Sequence, residues 1–177
     1  SAVLDIKNKQ FTIVNAKGKY ILKIQSPLYQ ELPQNEALTM LLAKSVGIET
    51  PLFGLIQAKD QSLLYFIKRF DRVGHNKKLA VEDFCQLAML NRNTKYNASM
   101  EKVIDLVNTY CTFPKKDGLK LFKLMLFNFL IGNEDMHLKN FSVIRKNQII
   151  TLSPAYDLVN SSIALKNPKE ELALPLN

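Results

Sequence analysis

The chain has 177 residues, 47% of them hydrophobic, with 24 basic against 16 acidic side chains and a net charge of +8. That length and apolar content allow one or two modest lobes with real cores, and the charge favours ATP, acidic protein partners or nucleic acid by long-range attraction. With no internal repeat, low-complexity tract, signal peptide, recognition-helix motif or zinc spacing, the sequence gives no support to direct DNA reading. Cys85 and Cys111 are the only cysteines and both fall in helical patterns. They read as buried, reduced thiols of a cytoplasmic protein rather than as a metal site.

In chain order, Phe11–Val14 and Lys19–Ile24 read as two strands joined across Asn15–Gly18. A lysine on such a strand can reach nucleotide phosphates; Lys23 is the candidate and Lys19 its competitor. Thirteen residues after Lys23 comes Glu36, inside an amphipathic helical pattern over Asn35–Lys44. A strand lysine pairing with a helix glutamate is how a kinase holds its lysine against ATP phosphates. Read alone, Lys23 is a surface lysine and Glu36 a first-turn acid favoured by the helix dipole. Beyond Asp71 a polar, glycine-containing stretch, Arg72–Lys78, marks a boundary, and His75 within it receives no role. Helices are expected near Val81–Leu90, Met100–Cys111 and Leu119–Ile131, the second with Met100, Val103, Ile104 and Val107 on one face. The third is apolar on nearly every side toward its end and reads as buried in a lobe core, with Gly132 as its stop. It is too short, and too interrupted by Lys120, Lys123 and Asn128, to span a membrane.

The chemistry concentrates after that helix. Asp135-Met-His-Leu-Lys-Asn140 has the D-x-x-x-x-N form of a protein-kinase catalytic loop, and Asp157 follows seventeen residues after Asn140. Phosphoryl transfer asks for positioning and charge neutralisation, hence hard oxygen donors for magnesium and a carboxylate aimed at the acceptor hydroxyl. Asp135 fits the carboxylate, and Asn140 and Asp157 fit the magnesium ligands. Asn140–Ile144 and Gln148–Leu152 read as a hairpin turning at Arg145–Asn147, which would return Asp157 close to Asn140. Singly, Asp135 and Asn140 read as helix caps and Asp157 as a turn residue. All three in order read as a site.

Four segments carry a resemblance: Ile67-Lys-Arg-Phe-Asp-Arg72, Glu82-Asp-Phe-Cys-Gln86, Asn133-Glu-Asp-Met-His-Leu-Lys-Asn-Phe-Ser142 and Leu152-Ser-Pro-Ala-Tyr-Asp-Leu158. In that order and spacing they resemble the HipA family, bacterial serine/threonine kinases that act as toxins of toxin–antitoxin modules. The resemblance runs from about Lys19 to Asp157. It implies an α+β, protein-kinase-like two-lobed fold, with residues 1–72 as N-lobe and hinge and 73–177 as C-lobe.

By resemblance, Lys23 contacts ATP phosphates, Ile67, Lys68 and Phe70 belong to the hinge that grips adenine, and Asp71 lies near the ribose. Asp135 matches the catalytic aspartate, Asn140 a Mg2+ ligand, and Asp157 the second acidic metal ligand. His137 and Lys139 share the family loop, His137 as a structural hydrogen-bonding residue. The resemblance also implies a protein substrate, an aminoacyl-tRNA synthetase, whose modification arrests growth. It implies as partner an antitoxin with a helix-turn-helix domain, or a small protein like the N-terminal subdomain of long family members. The family's glycine-rich phosphate loop, with its regulatory serine, and its later helices are not seen, so the chain is expected to be partial at both ends.

Two other readings stand beside this one: a small-molecule phosphotransferase with a similar loop, which the Arg69–Arg72 hinge speaks against, and a non-catalytic kinase-like binding module, which the intact triplet opposes.

Overall fold

The computed structural model describes residues 1–74, 77–163 and 174–175. His75 lies outside the described residues. The chain opens with a five-stranded antiparallel sheet of β1 (Ala2–Asp5), β2 (Gln10–Ile13), β3 (Tyr20–Lys23), β4 (Phe53–Gln57) and β5 (Leu63–Lys68), ordered β2-β1-β3-β5-β4. This order corrects one expectation, because Phe11–Val14 does not pair with Lys19–Ile24. β1 lies between them, pairing with β2 along its length and meeting β3 at Ala2↔Tyr20. A turn composition marks a reversal of the chain but does not say whether the strands it joins are neighbours.

β3 pairs along its whole length with Tyr65–Lys68 of β5, which sets Lys23 opposite Tyr65. Helix α1 (Leu32–Ser45) carries Pro33 in its first turn, where a missing N–H costs nothing. It packs on β4 and β5 and buries Glu36, Met40 and Ala43.

The polar boundary is a small hairpin of β6 (Arg72–Val73) and β7 (Lys77–Lys78). The helix expected over Val81–Leu90 is not formed as such. β8 (Ala80–Asp83) is a strand that pairs with a later one, and only Phe84–Leu87 turns into a helix, α2. The Asp83 carboxylate caps it by accepting the Gln86 N–H at 2.9 Å. Short apolar runs fit either periodicity, and here long-range pairing decided.

Helix α3 (Met100–Tyr110) buries Met100, Val103, Leu106 and Val107, whereas Ile104, expected on that face, is 42% exposed. Helix α4 (Pro114–Leu130) starts before the expected Leu119, on a proline. It buries Leu121, Leu124, Phe127 and Asn128, but Leu119, Phe122, Leu126, Phe129 and Leu130 are exposed, so the expectation of burial on nearly every side holds for one face. Gly132, at φ +65°, ends this segment in the left-handed conformation that favours glycine.

β9 (Ser142–Lys146) and β10 (Ile149–Leu152) form the expected hairpin, extended by β8 to three strands. Its turn is Asn147-Gln148, one step beyond the expected residues, because Asn147 accepts φ +58° more readily than its neighbours. The core gathers α3, α4 and this sheet around Phe84, Phe141, Leu138, Leu152 and Leu158. Cys85 and Cys111 are both buried and unpaired.

A buried amide pair links α4 to the loop after it. Asn133 donates to the Asn128 side-chain oxygen at 2.6 Å, and Asn128 donates to the Leu124 carbonyl at 2.7 Å. Replacing Asn128 with leucine leaves the Asn133 amide without its acceptor. We expect Asn128→Leu to destabilise the full-length protein by about 1–3 kcal/mol in urea unfolding. An unchanged midpoint would show that the amide pair is dispensable.

Candidate active site

The side chain of Lys23, at the end of β3, points to two carboxylates. Its ammonium donates to both oxygens of Glu36 on α1, at 2.7 and 2.8 Å, and also contacts Asp157, which lies beyond β10. Glu36 is only 2% exposed, whereas the Lys23 side chain keeps 35% of its surface in solvent. Lys19 turns away and donates to the Gly74 carbonyl at 3.0 Å, so geometry separates the two competing lysines.

Burial pushes the Glu36 carboxyl up to about 7, against the pull of the Lys23 ammonium, and the Asp157 carboxylate adds to the rise. Burial of the Lys23 ammonium works against its charge, but the Glu36 and Asp157 carboxylates outweigh that cost and hold its pKa above the ordinary value. Asp157 itself adopts φ +58°, a left-handed conformation rarely taken by non-glycine residues.

This triad stands between two cavities. One, of about 630 Å³, is lined on its far side by Ile67, Lys68, Phe70 and Asp71 and on its near side by Lys23, Glu36 and Asp157. The other, of about 580 Å³, shares those three residues and continues to Asp135, His137, Asn140 and Tyr96. The structure therefore brings together nine of the expected residues around one continuous cleft: Lys23, Glu36, Ile67, Lys68, Phe70, Asp71, Asp135, Asn140 and Asp157, with His137 beside Asp135 as a tenth. Lys139 is directed elsewhere, pairing with the Asp83 carboxylate at 3.0 Å, and so ties the loop to the start of α2.

Asp71 is buried between two arginines. Arg69 donates to both its oxygens at 3.0 and 2.9 Å, and Arg72 approaches to 3.2 Å. Phe70 packs on Tyr156 with ring centroids 5.6 Å apart, while the Tyr156 hydroxyl donates to the Lys139 carbonyl at 3.0 Å and meets the Ser142 hydroxyl at 2.5 Å.

The loop from Asp135 to Asn140 is held from several sides. The Asp135 N–H bonds to the Asn133 side chain at 3.3 Å, and the Ser161 hydroxyl accepts the Glu134 N–H at 2.6 Å while donating to the Gly132 carbonyl at 3.1 Å. His137 is buried, with Nε2 at 2.5 Å from the Lys95 ammonium; burial and that ammonium lower its pKa, against the pull of Asp135. Asn140 ends a single 3-10 turn, Leu138–Asn140, with its side-chain oxygen buried and unpartnered. An orphaned hard oxygen donor lining the same cavity as the Asp157 carboxylate fits a divalent cation such as magnesium.

Sequence reasoning missed Lys95, Tyr96, Ser142, Tyr156, Asn160 and Ser161. Tyr156 and Ser142 lie inside the four resembling segments and could have been found there. Asn160 exchanges two hydrogen bonds of 2.9 Å with the Asn35 side chain, across 125 positions, and no local pattern signals such a contact.

A small antiparallel sheet with one buried-glutamate helix and a mainly helical part ending in a loop and hairpin together define a protein-kinase-like fold. The HipA chain of the Shewanella oneidensis MR-1 toxin–antitoxin complex of HipA, HipB and operator DNA matches it with a TM-score of 0.82 at 24% identity, covering 95% of this chain and 43% of that one. The profile of the HipA-like C-terminal domain matches residues 3–177, and the chain belongs to that family.

Among curated relatives, a "Putative kinase" of Haemophilus influenzae is 31% identical over 173 residues, which is 90% of this chain and 50% of that protein. The "Serine/threonine-protein kinase toxin HipA" of Shewanella oneidensis is 26% identical, over 89% of this chain and 40% of that protein. The chain thus spans half or less of the length of these relatives.

The pKa of Glu36 predicts a pH effect. A carboxyl titrating near 7 is mostly protonated below pH 6, so the charge pair that orients Lys23 is complete only above 7. Binding of a polyphosphate anion at the Lys23 ammonium is expected to weaken as pH drops through 7, and Glu36→Gln should flatten that limb; an identical profile in the variant would disprove the titration assigned to Glu36. For folding the sign is opposite. A carboxyl raised from 4.5 to about 7 contributes most below 4.5, and this contribution is lost as pH rises through 7.

Proposed function

We propose that this chain forms the ATP-binding and catalytic part of a HipA-type serine/threonine protein kinase, with residues 1–72 as N-lobe and hinge and 73–177 as C-lobe. The observation that carries this is the convergence of Lys23, Glu36 and Asp157 between a hinge-lined cavity and a second one holding Asp135 and Asn140.

ATP would lie along the first cavity, its adenine against Ile67, Lys68 and Phe70 and its ribose toward Asp71. Lys23, oriented by Glu36, offsets the phosphate charge. Asp135 accepts a hydrogen bond from the acceptor hydroxyl and takes its proton as that oxygen bonds to the γ-phosphorus. The bond from phosphorus to the β–γ bridging oxygen breaks in line, and ADP leaves. Asn140 and Asp157 would hold magnesium, which when bound supplies charge neutralisation at the β- and γ-phosphates. His137, kept neutral by burial, braces the loop against Lys95, and Lys139 anchors it to Asp83.

The family resemblance supplies the acceptor class, a serine of a translation protein such as an aminoacyl-tRNA synthetase, with growth arrest as the consequence. It also supplies a restraining partner, either an antitoxin with a helix-turn-helix domain or a small N-subdomain-like protein. Support for an antitoxin comes from the similar Shewanella chain, a HipA in complex with HipB and operator DNA. Such a system works in the cytoplasm. No described helix is long and apolar enough to cross a membrane.

The test is transfer of label from γ-labelled ATP, with magnesium, into proteins of a bacterial lysate by the full-length gene product. Discrete labelled proteins are expected, with chelation of magnesium abolishing the signal and Asp135→Asn lowering the rate by about 10²–10⁴. Equal labelling by the variant would remove Asp135 from the reaction. ATP binding without transfer would favour a binding module, and label confined to small molecules would favour a small-molecule phosphotransferase.

A further inference from the structure

Asp135 has an exposed carboxylate on a terminal torsion that is broad by nature, so the loop backbone alone does not set where its oxygens point. Transfer requires that one of them face the acceptor hydroxyl closely, since a misplacement near 1 Å costs about 10²-fold in rate. The hydroxyl of Tyr96 donates to Oδ1 of Asp135 from a segment 39 positions earlier. The hydrogen bonds among the described residues leave Oδ2 without a donor.

That segment is built as a bracket on the loop. Asn91 and Thr94 close a capping box around the 3-10 turn Arg92–Thr94, which fixes the approach. The Lys95 carbonyl then accepts the Leu138 N–H at 3.3 Å, and the Lys95 ammonium reaches His137 at 2.5 Å. The same ammonium lies over the Tyr96 ring, 4.7 Å from its centroid, and the ring stands edge-on to His137 with centroids 5.0 Å apart. The ring is therefore held on two sides, with its hydroxyl aimed at one oxygen of Asp135.

We infer that Tyr96 is a positioning residue: by donating to Oδ1 it turns the Asp135 carboxylate so that Oδ2 meets the acceptor hydroxyl. This rests on the kinase reading above. Burial and the Asp135 hydrogen bond raise the phenol pKa, which keeps the hydroxyl protonated as a donor. With the ring lining the same cavity as Asp135 and Asn140, an incoming acceptor side chain passes beside it. A rival role for the same contact is a blocking one, with the Tyr96 hydroxyl occupying the acceptor's place. The two roles differ in the sign of the rate change.

The experiment is a double-mutant cycle in the full-length protein, following phosphate transfer from labelled ATP for wild type, Tyr96→Phe, Asp135→Asn and the double variant. Phenylalanine keeps the ring contacts with His137 and Lys95. Tyr96→Phe is expected to lower kcat about ten- to a hundred-fold while KM for ATP stays within about twofold, and to have no further effect on the residual rate of Asp135→Asn.

Three results would overturn the inference with the wild type active: an unchanged or faster Phe variant, the faster one marking a blocking hydroxyl; an equal loss in the Asp135→Asn background; or a loss accompanied by weakened ATP binding, marking a merely structural role. A wild type that transfers nothing would remove the kinase reading and this inference together.

Discussion

The ion triad of Lys23, Glu36 and Asp157 is the constraint on which the cleft depends. It ties together three elements that are distant in sequence: an inner strand of the sheet, the helix packed against it, and the segment leaving the hairpin. A carboxylate that is 2% exposed keeps its charge only with a cation at hydrogen-bond distance, so α1 cannot move away from β3 without stranding Glu36. Such a pair is a weak source of net stability, because desolvation offsets most of the attraction. Its value is positional. It aims an ammonium at the point where the two cavities meet, and the Asn35–Asn160 exchange repeats the tie between α1 and the Asp157 segment with neutral groups.

A second constraint sets the loop from Asp135 to Asn140. Polar groups buried under α4 form a chain running from the Leu124 carbonyl through Asn128 and Asn133 to the Asp135 N–H, and Ser161 closes the other side. Because each buried donor needs its acceptor, this chain gives the loop a definite place relative to the helix. Asn128, which interrupts an apolar run in the sequence, is thus an anchor for the loop rather than a flaw in the helix. The left-handed backbone of Asp157 adds local strain of about 1–3 kcal/mol, tolerated where neighbouring contacts over-determine the geometry.

The parts of the fold legible in the sequence were those with strong local signals. The hairpin of β9 and β10 showed in alternating apolar residues around a polar turn, α3 in its periodicity, and the end of α4 in Gly132. Where the local signal is ambiguous, long-range pairing and burial decide the outcome. Val81–Leu90 is as apolar as a short helix, yet β8 is a strand because β9 offers its edge. The pairing that Phe11–Val14 and Lys19–Ile24 suggest fails because β1 inserts between them, and α4, apolar on nearly every side toward its end, buries one face in the core and leaves the other exposed.

By itself the sequence determined the identities and order of the chemical groups: the D-x-x-x-x-N loop, the later aspartate, the strand lysine and the helix glutamate, since these depend on residue type and spacing along the chain. Only the tertiary structure decided which lysine meets Glu36, that Lys139 turns to Asp83, and that Tyr96, Tyr156 and Asn160 come to the site. The physical reason is that these contacts span 13 to 134 positions and are selected by the burial of charge and the satisfaction of hydrogen bonds, which act through space once the sheet and helices have packed.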